Sequence, residues 1–63
     1  MRVRAKRIPR DTPYLTADKW YNVTPHSSGH PRAGYIIDDT GEKTSIMLDW
    51  CAHLKGAAWE VEK

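Results

Sequence analysis

The chain has 63 residues, 40% of them hydrophobic, with three Trp, three Tyr and no Phe, and carries a formal net charge of +2. A chain of this size buries only about 60% of the surface it exposes when unfolded, so residues 1–63 are expected to form one domain, with no room for a second lobe. The single cysteine, Cys51, cannot close an internal disulfide, and no apolar run approaches the ~18 residues of a membrane span, so a reducing, cytoplasmic location without a membrane partner is the expectation.

Met1 to Ile8 reads as a strand, with Arg2, Arg4 and Lys6 on one face and Val3 and Ala5 on the other. With Arg7 and Arg10 these make residues 1–10 strongly basic, while all eight acidic residues lie in 11–63. Pro9 ends the strand. The stretch from Pro9 to Pro13 has little to bury and reads as a surface loop, after which Tyr14 and Leu15 return to the core. Thr16 to Lys19 reads as a turn. Trp20 to Thr24 is a strand by composition and alternation, with Tyr21 and Val23 inward and Trp20 and Asn22 outward.

Pro25 to Arg32 is polar and rich in breakers, and is read as a loop. Residues 33–48 form the most strongly patterned stretch: two runs of β-branched and aromatic residues flank Asp38-Asp39-Thr40-Gly41, which predicts a β-hairpin with glycine relieving the turn. Both arms carry apolar residues on each face, so the pattern leaves the register open. Asp49 to Leu54 predicts one helical turn with Asp49 as cap and Gly56 beyond its end, placing Cys51 and Leu54 as plugs of the core. Ala58 to Glu62 alternates again, with Trp59 and Val61 inward. The sum is five short strands and one helical turn, which a small barrel buries most economically because it removes exposed strand edges.

This order, together with Leu15-Thr16-Ala17-Asp18-Lys19-Trp20-Tyr21-Asn22-Val23, Ile36-Ile37-Asp38-Asp39-Thr40-Gly41 and a closing Trp59, resembles small SH3-like barrel proteins encoded in bacteriophages and prophages. Their pattern is Leu-Thr-x-Gly-Lys-x-Tyr-x-Val ahead of an Asp-Asp-x-Gly hairpin, and the similarity runs over about residues 3–61. Asp18 stands where that pattern commonly has glycine. The resemblance implies an all-β, five-stranded SH3-like barrel with a 3-10 turn before the last strand and a phage or prophage origin; it implies no mechanism.

Several residues invite a chemical reading. His26-x₃-His30 is the one histidine pair with ligand-like spacing, but its loop lacks cysteine, and two incidental histidines in a solvated loop fit better than zinc. Asp38 and Asp39 form a carboxylate pair whose position at a hairpin turn favours backbone capping over catalysis. Cys51 and His53, two apart on a helical turn, point in different directions. No catalytic residue, metal site or cofactor is predicted, and the chain is read as a non-enzyme that binds a macromolecule.

Two surfaces compete for that role. Tyr14, Trp20, Tyr35 and Trp50 are the protein-binding candidates, because an SH3 domain takes extended proline-rich peptides in an aromatic groove between its first long loop and its helical turn. The loop from Pro9 to Pro13 holds only Asp11, which argues against the acidic specificity of eukaryotic SH3 domains. Arg2, Arg4, Lys6, Arg7 and Arg10 are the nucleic-acid-binding candidates, since cations spaced along a strand can meet successive phosphates. The leading expectation is a protein or peptide partner; nucleic acid is the alternative, and self-association through an edge strand or exposed tryptophans is the third reading.

Overall fold

The computed structural model describes residues 1–62. These form β1 (Arg2–Arg4), β2 (Tyr21–Asn22), β3 (Thr24–Pro25), β4 (Ala33–Ile37), β5 (Lys43–Met47), a 3-10 turn (Ala52–Leu54) and β6 (Glu60–Glu62). The strands assemble into two antiparallel sheets, ordered β2-β1-β6 and β3-β4-β5. The chain is therefore all-β, and no helix among the described residues is long and apolar enough to cross a membrane.

The five-stranded barrel expected from the sequence is corrected to six strands in two sheets, without closure. The single strand expected over Trp20–Thr24 is divided at Val23, whose N–H donates to Met1 O at 2.9 Å. Thr24 then pairs with Tyr35 in the other sheet, so the chain changes sheets at this point. At the opposite junction the sheets meet through one backbone bond, Trp59 N–H to Leu48 O at 2.8 Å, in place of a ladder.

Other boundaries shift for equally local reasons. β1 ends at Arg4: the Ala5 carbonyl, on the side facing β2, accepts the N–H of Asp18 at 2.8 Å, and Lys6, next in line to face β6, makes no backbone bond among the described residues. Asp18 adopts φ +61°, the left-handed conformation that the glycine of the resembling pattern would favour. The 3-10 turn is capped by extended Cys51, whose side chain makes no cap bond, and Asp49 serves elsewhere, in a two-pronged pair with Arg32. Thr12, assigned to a surface loop with little to bury, is only 4% exposed and donates its hydroxyl to His53 O at 3.0 Å.

The hairpin register, open in the sequence, is set by Tyr35 opposite Ser45 and Ile36 opposite Thr44. Ile36, Ile46 and Leu48 are buried with Val3, Ala5, Leu15, Tyr21, Cys51, Leu54 and Trp59 between the sheets. Tyr21 meets Trp59 edge-on at 6.2 Å between centroids, a geometry that adds about 0.5–1.5 kcal/mol beyond the burial of the rings.

β3 and β4 lie so close that a Cβ on Gly34 would collide with the Val23 side chain and stand 3.0 Å from Thr24 O. Gly34→Ala is therefore expected to cost ~1–3 kcal/mol in urea unfolding. Adding Val23→Ala should recover part of that loss, giving a double variant more stable than the two single losses predict.

Candidate functional site

The two hairpin aspartates do different work. Asp38 Oδ1 accepts from Thr40 Oγ1 (2.5 Å), Thr40 N (2.9 Å) and Glu42 N (3.1 Å), and its Oδ2 accepts from Thr44 Oγ1 (2.9 Å). It thus satisfies the turn's own donors, while Gly41 takes φ +85° to close the loop. These bonds, the Thr40 hydroxyl foremost, outweigh the desolvation of the partly enclosed carboxylate and hold its pKa down from 3.8 to about 2.

Asp39 reaches across to the first loop. Its carboxylate accepts from Lys19 Nζ (2.6 Å), Thr16 Oγ1 (2.5 Å) and the Tyr21 hydroxyl (3.0 Å), and its N–H donates to Tyr14 O at 2.9 Å. The Tyr21 oxygen accepts the Thr16 N–H at 2.7 Å. Lys19, followed by the two hydroxyls, lowers the Asp39 pKa, whereas burial raises that of Tyr21. Asp38 thus caps the turn as read from the sequence, whereas the Asp39 carboxylate, given the same local role there, bonds side chains of the first loop and β2 instead.

The basic face is largely answered by its neighbour strand. The β1–β6 register sets Arg2 opposite Glu62 and Arg4 opposite Glu60. Arg2 makes a two-pronged pair with Glu62, and Arg4 NH2 donates to Glu60 Oε1 at 2.9 Å. Both guanidiniums also cover the half-buried Trp20 ring, with Arg2 Cζ at 5.4 Å and Arg4 Cζ at 4.6 Å from its centroid. Lys6, Arg7 and Arg10 make no salt bridge among the described residues. The alternation of Glu60 and Glu62, matching that of Arg2 and Arg4, was the sequence signal for this pairing.

The four aromatic candidates occupy separate settings, and no two of them stack on each other among the described residues. Tyr14 bonds through its hydroxyl to His53 Nδ1 at 2.7 Å, and together with the Thr12 bond this fastens the first loop to the 3-10 turn. Tyr35 stacks on His26 at 4.6 Å, lies under Lys43 Nζ at 4.2 Å and shares a hydrogen bond with Ser27. Trp20 lies beneath the two arginines. Trp50 is 65% exposed, with its indole laid against Gly56, where a Cβ would come 2.8 Å from Nε1.

The remaining soft ligands are dispersed. His26 Nδ1 accepts the Ser28 N–H at 3.1 Å and His30 Nδ1 the Arg32 N–H at 3.0 Å, so both rings brace their own loop. Cys51 is buried in the core, and no group of three or more metal-binding side chains occurs among the described residues.

A carboxyl with a lowered folded-state pKa adds stability that is complete above its unfolded pKa and is lost as pH falls through the folded value. For Asp38 that window runs from about 3.8 down to about 2. Carboxyl-detected NMR should find Asp38 still ionised below pH 3, and Asp38→Asn should both destabilise the domain at neutral pH and flatten its acid unfolding profile between pH 4 and 2. An Asp38 pKa near 3.8 would contradict the capping geometry.

Set against protein-family models, curated proteins and solved structures, the chain matches none of them.

Proposed function

We propose that this chain is an SH3-like, phage- or prophage-encoded module that binds another protein and performs no chemistry of its own. The observation that carries the reading is Trp50: a tryptophan 65% exposed, its indole edge beside Gly56 and the rest of its apolar surface turned to solvent. Tryptophan is among the residues most enriched at binding hot spots. The free, buried Cys51 suits a reducing cytoplasm. The long first loop, the sheet change near Val23 and the 3-10 turn before the final strand support the SH3-like assignment.

The nucleic-acid alternative loses force because Arg2 and Arg4 already face Glu62 and Glu60. Self-association has its own support in Ile37 and Met47, 58% and 41% exposed on the outward side of the β4–β5 hairpin. An apolar outer sheet face of this kind is a surface for a second copy.

Affinity capture from bacterial lysate with the immobilised protein separates these readings. The proposal expects a protein retained at moderate salt by the wild type and lost by Trp50→Ala, with the variant's folding unchanged. Retention by both forms would remove Trp50 from the interface, and capture of nucleic acid that disappears as salt rises would favour the phosphate reading. Concentration-dependent dimerisation in sedimentation, abolished by Ile37→Lys, would favour self-association.

A further inference from the structure

Past the Arg4–Glu60 pair, β1 and β6 diverge. Continuing their register would make Lys6 and Ala58 the next pair to exchange ladder bonds, but neither makes a backbone bond among the described residues, while Ala5 and Trp59, whose backbone groups point away from this seam, are held on their outer sides by Asp18 N–H and Leu48 O. Ala57, further along, is bridged to Cys51. The two segments separate where the Lys6–Ala58 pair goes unmade, and a cleft of about 390 Å³ opens between residues 4–7 and 57–60. That volume lies at the low end of the ~300–1,000 Å³ typical of ligand sites, a size suited to a short stretch of chain.

Three properties of the cleft point the same way. Its floor is apolar, built from Ala5, Leu54 and Trp59, and the small side chains of Ala57 and Ala58 leave the space unfilled. Its walls carry backbone without partners: the N–H and C=O groups of Lys6, Arg7 and Ala58 make no hydrogen bond among the described residues. Its rim holds Arg4, Lys6, Arg7 and Glu60; Arg4 and Glu60 neutralise each other, so Lys6 and Arg7 remain as excess positive charge. The two buried side-chain nitrogens left without a partner, Arg4 Nε and Trp59 Nε1, also belong to residues lining it.

We propose that this cleft receives an extended segment of a partner protein in which acidic residues alternate with small aliphatic ones. This rests on the protein-binding reading and names a site for it distinct from Trp50. An extended segment meets the unpaired backbone of one wall by strand addition. Its aliphatic side chains cover the Leu54–Trp59 floor, and its carboxylates meet Lys6 and Arg7.

The test is a ¹⁵N-¹H titration of the whole chain with the capped peptide Glu-Val-Glu-Val-Glu, beside its charge-swapped counterpart Lys-Val-Lys-Val-Lys and a mixed single-stranded oligonucleotide. Expected are saturable shifts at the Lys6, Arg7 and Ala58 amides and the Trp59 indole with the acidic peptide alone. Lys6→Glu combined with Arg7→Glu should weaken binding by about tenfold or more, whereas Lys43→Glu should not. Ala58→Tyr fills the cleft without altering charge and should abolish the shifts, which keeps the test valid if the charge variant fails to fold. No saturable shift with the acidic peptide overturns the cleft proposal, and leaves the protein-binding reading to the Trp50→Ala capture. Equal response to the lysine peptide, or stronger response of the same residues to the oligonucleotide, also overturns it.

Discussion

The Asp39 carboxylate is the constraint on which the arrangement of this small domain depends. A hairpin and a long first loop have no ladder between them, so something other than sheet bonding must fix their relative position. Asp39 does so by collecting Thr16, Lys19 and Tyr21 on one side chain and Tyr14 O on its own N–H. Because Tyr21 also pairs with Val3 in the first sheet and packs on Trp59, the tether runs from the hairpin turn into the core. A carboxylate with its acceptors occupied by a cation and two hydroxyls has no incentive to seek water, and the turn stays where the first loop holds it.

Charge is then disposed of locally, and that disposal separates framework from binding surface. Arg2, Arg4, Arg32 and Lys19 each face a carboxylate within the domain. Among the described residues Lys6, Arg7 and Arg10 form a short basic run without salt bridges, Lys43 stands singly without one on the hairpin, and the exposed large apolar side chains beyond Met1 are Trp50, Ile37 and Met47. The basic run abuts a cleft and the apolar side chains stand open to solvent. Neither is needed to hold the two sheets together, and this is why both are offered as surfaces for a partner.

Much of the framework was legible in the sequence because it rests on period and punctuation. The hairpin turn, the inward Tyr21 and Trp59, the core position of Cys51 and the 3-10 turn all follow from alternation and from where glycine and polar residues fall. The failures share a cause as well. Val23 looks like any alternating strand residue until a second sheet competes for its neighbour Thr24, and Asp49 looks like a cap until Arg32 is brought beside it. Thr12 is buried by a backbone carbonyl 41 residues away, and no local pattern announces such a contact. The cleft was invisible for the same reason: it exists because Lys6 and Ala58 do not pair where the β1–β6 ladder would continue, and only the folded chain shows where a ladder stops.

The central claim, that Asp39 and Tyr21 act as one unit tying the hairpin to the first loop, is tested most directly by a double-mutant cycle. Tyr21→Phe, Asp39→Asn and the combined variant would be compared in urea unfolding. If the hydroxyl and the carboxylate share one interaction, each single variant destabilises the domain and the double variant loses less than the sum of the two, exceeding Asp39→Asn alone by the Thr16 N–H bond to the Tyr21 oxygen. Losses that simply add would contradict the account and assign the position of the hairpin to core packing instead.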